Sequence, residues 1–111
     1  MDAAIKSVSE AEMSPNFIAD TCYDILIELV RAKMLLDGLN SGSSHEAEVS
    51  YMDKLGFPVA DVKFMDELRF YRNMTKYYGV ILDKDYAGKV LAFTRKMYPN
   101  IRVMVSSSLK A

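Results

Sequence analysis

The chain has one cysteine, Cys22, and one histidine, His45. A lone thiol makes no intrachain disulfide and builds no cysteine metal cluster. A lone imidazole excludes, within one chain, any mechanism that needs two histidines and any His-rich metal site. No metal site and no cofactor is expected. Proline and glycine are also scarce, at 3 and 5 residues, and most of them sit where periodic segments end. That scarcity disfavours a hairpin-rich sheet. Long apolar runs are missing: stretches such as "ILIELV" are short, and Glu28 interrupts this one, so no membrane span is expected. The segment from Asp2 to Glu12 is polar and mixed in charge, which predicts no signal peptide. With so little cysteine, a cytoplasmic location is the expectation. The formal net charge is only −1. That argues against whole-surface attraction to nucleic acid or acidic membrane, and it does not exclude a local basic patch.

What is present favours helices. Half of the residues are hydrophobic and 26% are charged, a balance that supports a packed core rather than disorder. A length of 111 residues fits one domain, spanning 1–111, able to bury a core without staples. Eight methionines read as flexible core filler. Leu, Ala, Lys and Glu add helix propensity.

The periodicity predicts five helices. The first, from Asp2 to Met13, is weakly amphipathic through Ile5, Val8 and Ala11. The second begins at Ser14, an N-cap, with Pro15 in the first turn. Ile18, Cys22, Ile25, Leu29, Ala32 and Leu36 form its apolar stripe, widened by Leu26 and Val30. Asp20, Asp24, Glu28 and Arg31 lie largely away from that stripe. Cys22 on the stripe reads as a buried structural thiol. Gly38, Asn40 and Gly42 end this helix. Ser43 with Glu46 has the spacing of a capping box that opens the third, which stops at Gly56 and Pro58. The fourth starts near Ala60 or Asp61 and ends at Gly79. Asp83 caps the fifth, whose apolar face is Ala87, Val90, Leu91, Thr94 and Met97, and Pro99 closes it. Residues 100–111 stay open between a short helix, a β-like extension and disorder past Ser106. The expected architecture is an all-α, four- to five-helix up-down bundle.

The stretch "ELRFYRNMTKYYG", Glu67 to Gly79, holds Arg69, Arg72, Asn73 and Lys76 among four aromatic residues. At about 100° per residue, Phe64, Leu68, Tyr71, Thr75 and Tyr78 share a core side. Asp66, Arg69, Asn73 and Lys76 lie opposite, Phe70 and Tyr77 flank them, and Arg72 sits at the border. One reading is a solvated face with an Asp66–Arg69 pair at i, i+3. The other is a ligand face. Planar guanidinium forks beside an amide donor suit phosphate or carboxylate, and flanking aromatics suit a stacked base.

This stretch resembles the signature of the HEPN superfamily (higher eukaryotes and prokaryotes nucleotide-binding), in its short archaeal and bacterial form. Members carry on a late helix an Arg, then a polar residue, then after a short gap a His. Arg72 and Asn73 match the start, and "YYG" resembles the helix exit. The long second helix, Ser44, His45 and Glu46 at the third, and "DKDYA" at the fifth are also similar. The resemblance covers about 14–98. It implies a helical bundle, often a homodimer. It also implies one of three roles: a metal-independent ribonuclease, the companion of a minimal nucleotidyltransferase in a toxin–antitoxin couple, or a nucleotidyltransferase substrate-binding module.

The sequence departs from the catalytic pattern where the motif His would fall, since Tyr77, Tyr78 and Gly79 stand there, with Lys76 just before them. Lys and Tyr ordinarily titrate near pH ~10, far from what general acid–base work at neutral pH requires. The expectation is a module with little or no catalysis. Arg69, Arg72, Asn73, Lys76 and Tyr77 would bind a nucleotide, RNA or another phosphate-bearing ligand, and a nucleotidyltransferase protein would be the partner. The alternatives are a ribonuclease using Arg72 with Lys76 or Tyr77, and a purely structural helical dimer. His45 reads as a capping or surface residue, joining Arg72 only if dimerisation brings the two together.

Overall fold

The computed structural model describes residues 14–110. The helix expected from Asp2 to Met13 lies outside them. Four helices make up the described chain: α1 (Pro15–Leu36), α2 (His45–Lys54), α3 (Val59–Tyr78) and α4 (Lys84–Lys110). The protein is an all-α helical bundle, and no described residue is in a strand.

Helix α1 begins as its sequence dictates. The Phe17 N–H donates to the Ser14 hydroxyl at 3.2 Å, and Pro15 occupies the first turn, where no intrahelical donor is needed. The helix is 22 residues long, about 33 Å at ~1.5 Å per residue. Its buried residues include Cys22, Leu26 and Val30, but also Ala19, Tyr23, Ile27 and Met34. These occupy more than one stripe. A helix that is apolar on several sides is a buried helix, and α1 is the spine against which α2, α3 and α4 all pack, α4 most extensively. Leu36, expected on the stripe, is 40% exposed because α1 has reached the end of the bundle there.

Helix α2 starts one residue later than the capping-box spacing suggests. Ser44, not Ser43, is the N-cap, and its hydroxyl accepts from the Ala47 N–H at 3.1 Å. Ser43 has φ 66°, a left-handed turn conformation incompatible with the extended backbone of an N-cap.

Helix α3 begins at Val59 and ends on Gly79, whose φ of 65° closes the helix through a left-handed cap. Met65 and Leu68 are fully buried, and Phe64, Tyr71 and Thr75 are half-buried. Tyr78 is a correction: it is 76% exposed, because the last turn of α3 extends beyond the packed part of the bundle. Asn16 in the first turn of α1 secures the linker that follows. Its amide donates to the Val80 carbonyl at 2.7 Å, and its oxygen accepts from the Leu82 N–H at 2.7 Å. Phe64 and Tyr71 of α3 meet Phe93 and Tyr86 of α4 at centroid distances of 4.4 and 5.0 Å.

Helix α4 also departs from expectation. Asp83 caps it by accepting from the Tyr86 N–H at 2.7 Å, but Pro99 does not end it. The helix continues to Lys110, 27 residues in all, with Pro99 inside. An interior proline loses one backbone bond and crowds the preceding turn. Apolar burial offsets that cost. Ile101 is completely buried, and Met104 and Val105 pack against the core. Residues 100–110 are therefore helical.

Among the described residues, no helix is long and apolar enough to cross a membrane.

Candidate functional site

The last two turns of α3 bring Arg72, Asn73, Lys76 and Tyr77 to one side by helical spacing. Facing them on α1 are Asp24, Ile27, Glu28 and Arg31, which recur every three or four residues. His45, the first residue of α2, completes the wall. These side chains line an open cleft with a volume of about 360 Å³, within the usual range for a small-molecule or cofactor site.

Each arginine is held by a carboxylate. Arg72 donates from Nε to Asp24 Oδ1 at 3.2 Å and from an Nη to Oδ2 at 3.4 Å. Burial works against its charge, but the Asp24 hydrogen bond and the charges of Asp24 and Asp20 outweigh it, so its pKa lies above the usual arginine value. Asp20, behind Asp24, accepts from the Thr75 hydroxyl at 2.9 Å. Burial raises its pKa, while the Thr75 bond and Arg72 pull it back in part and Asp24 adds to the rise.

Arg31 reaches Glu48 on α2, with Nε at 2.5 Å from Oε2 and an Nη at 3.2 Å from Oε1. The Ser41 hydroxyl donates to the same Oε2 at 2.8 Å. Glu48 has no exposed side-chain surface, whereas Arg31 is 37% exposed. The carboxylate is thus fully buried and the guanidinium opens toward the cavity. The Glu48 hydrogen bond, working against burial and aided by the charges of Glu48 and Glu28, raises the Arg31 pKa.

His45 is half-buried, and its Nδ1 lies 2.9 Å from the Tyr23 hydroxyl. The two rings stack at 5.6 Å with 19° between their planes. Helix capping falls to Ser44, which corrects the capping role expected of His45. A single chain puts His45 and Arg72 on the same cavity, without dimerisation. Lys76 Nζ lies 5.4 Å from the Tyr77 ring centroid, and Tyr77 itself is 67% exposed at the rim.

Of the five residues expected to bind ligand, Arg72, Asn73, Lys76 and Tyr77 converge and Arg69 does not. Arg69 turns to Asp66 at 2.9 Å and lines a separate depression with Val49 and Ser50. Sequence reasoning assigned no ligand role to Arg31 and did not anticipate the Tyr23–His45 pair. The signal for Arg31 was its spacing from Asp24 and Glu28 on a single polar side of α1.

The lining carries three cations, Arg31, Arg72 and Lys76, against two carboxylates, Asp24 and Glu28. An arginine fork has five N–H donors. Two of them on each arginine are engaged by its carboxylate, which pre-orients the guanidinium while leaving donors for a second acceptor. Among the described residues, no cluster of three or more His, Cys, Asp or Glu side chains could hold a metal ion. Fold and cleft together define an all-α bundle protein with an arginine-bearing polar cavity. Comparison with family models, curated proteins and solved structures finds no match to this chain.

Proposed function

We propose that this chain is a HEPN-like helical module that binds a phosphate-bearing ligand, a nucleotide or an RNA backbone, in the cleft between α1, α2 and α3. The observation that carries the reading is the convergence of Arg72, Asn73 and Lys76 with Arg31 on one cavity. Phosphate suits this donor set because bidentate guanidinium contacts match its oxygens. Tyr77 at the rim offers a face on which a base can stack. The residue pattern from Glu67 to Gly79 supports the HEPN assignment. With that assignment come a cytoplasmic homodimer and a minimal nucleotidyltransferase as protein partner, in a toxin–antitoxin-like pair.

Titration with AMP and with a short single-stranded RNA tests the binding. A charge-assisted hydrogen bond is worth about 1.5–3 kcal/mol, so Arg72→Ala is expected to weaken binding roughly 10- to 100-fold. Equal affinity for parent and variant would defeat the reading. Co-purification with a nucleotidyltransferase tests the protein partner.

A second reading is favoured by one observation: His45 lines the cavity that Arg72, Lys76 and Tyr77 share. Imidazole suits proton transfer near neutral pH, which the motif position itself no longer supplies. In this reading the chain is a metal-independent ribonuclease, with Arg72 stabilising charge on the phosphate. RNA cleavage in the presence of a chelator, abolished by His45→Ala and by Arg72→Ala, would favour it over binding alone.

A further inference from the structure

We infer that Tyr23 holds His45 in the tautomer with its proton on Nε2, so that the neutral ring presents an N–H donor to the anion in the cavity. This rests on the phosphate-binding reading above and assigns Tyr23 as a positioning residue, acting only through His45.

Tyr23 lies on the central helix α1 and has no exposed surface. A phenolic hydroxyl has one proton to donate, and buried donors are nearly always satisfied. Among the described residues, the partner of this hydroxyl is His45 Nδ1 at 2.9 Å. Burial, with Glu48 and Asp24 adding to it and Arg69 and Arg72 opposing, pushes the phenol pKa well up. The hydroxyl therefore keeps its proton. If Nδ1 carried a proton, it would donate to the phenol oxygen, and the Tyr23 proton would be left without an acceptor in the core, an unmade bond that is expensive to leave. If Nδ1 is the bare nitrogen, it accepts from Tyr23, and the ring proton must be on Nε2. The ring stacking at 5.6 Å and 19° restrains the imidazole plane from the same side. Nδ1 is then committed inward, and Nε2 is the nitrogen left for a ligand beside Arg31, Arg72 and Lys76. A neutral N–H donor there adds to the guanidinium forks without adding another charge that the carboxylates must balance.

The chain offers a direct measurement, because His45 is its only histidine. Imidazole ¹⁵N NMR of the full chain reads a single ring, at about pH 8, above the usual imidazole range. The expected spectrum has a bare, hydrogen-bonded Nδ1 and a protonated Nε2. Addition of AMP is expected to shift Nε2 and its proton and to leave Nδ1 nearly unchanged. Tyr23→Phe keeps the buried ring and removes the hydroxyl; it is expected to give a mixture of tautomers and to weaken AMP binding by roughly threefold to tenfold. His45→Gln, whose amide nitrogen can stand near the Nε2 position, is expected to lose less affinity than His45→Asn, whose amide matches Nδ1.

A protonated Nδ1 in the parent chain overturns the inference, whatever AMP does, and that measurement does not depend on any variant folding. AMP binding that moves Arg72 resonances without moving Nε2 also overturns it, while leaving the phosphate-binding reading intact. The expected tautomer with no AMP or RNA binding at all overturns both the phosphate-binding reading and the donor role.

Discussion

Arg31→Ala should expose how much the fold depends on the pair beneath the cleft. The substitution removes two donors from a carboxylate that has no exposed side-chain surface. Breaking a buried ion pair from one side costs about 3–5 kcal/mol, because the remaining charge is left uncompensated. Two features reduce that figure here. Ser41 keeps one hydrogen bond to Glu48, and the Arg31 side chain is 37% exposed, so water can enter the space it vacates. An expected loss of roughly 2–3 kcal/mol follows from these two corrections. At about 2.1 cal/mol/K per residue, each kcal/mol lowers Tm by about 4 °C in a chain of this size, so the midpoint should fall by roughly 10 °C. Urea unfolding with an unchanged m-value would show that stability, not compactness, has changed. The double variant Arg31→Met with Glu48→Gln should recover most of the loss, since removing both charges leaves neither stranded. A loss below ~0.5 kcal/mol for Arg31→Ala, or no recovery in the double variant, would refute the account of Glu48 as a buried charge held by Arg31.

Three more predictions concern the scaffold. Pro99→Ala restores a helical N–H inside α4 and removes the ring from the preceding turn, so it should stabilise the chain by roughly 1–3 kcal/mol; a thermal melt decides, and destabilisation would mean that the proline sets a bend the core needs. Gly79→Ala meets no neighbouring atom within 4 Å, yet its φ is 65°; the left-handed conformation alone should cost about 1 kcal/mol, and a neutral outcome in urea unfolding would contradict the cap assignment. Asp20 has a folded pKa above its ordinary value of 3.8, chiefly through burial. The folded state therefore binds its proton more tightly than the unfolded state, and the Asp20 contribution to stability is largest below 3.8 and declines as pH rises through the folded value. Asp20→Asn should flatten that decline in unfolding measured across the acidic range, and an unchanged slope would count against it.

Much of the fold was readable from local chemistry. Ser14 with Pro15, Gly79 and Asp83 mark helix ends because capping is satisfied within a few residues, and the structure places ends at all three. The two misread helix ends have different causes. Ser43 and Ser44 are equivalent by residue type, and the turn conformation of Ser43 decides between them. Pro99 is a local stop signal, overridden because Ile101 is buried beyond it. Local rules contain no knowledge of what lies across the bundle.

The cleft divides the same way. Arg72, Asn73, Lys76 and Tyr77 are close in sequence, and helical geometry alone brings them to one side of α3. The sequence by itself therefore determined an all-α chain and half of a polar cleft. Only the tertiary structure decided that Arg31 and His45 reach the same cavity from other helices, that Arg69 turns away to Asp66, and that Tyr23 meets His45. Those choices depend on how α1, α2 and α3 pack, which is set by apolar surfaces acting between residues far apart in the chain. No spacing rule along a single helix carries that information.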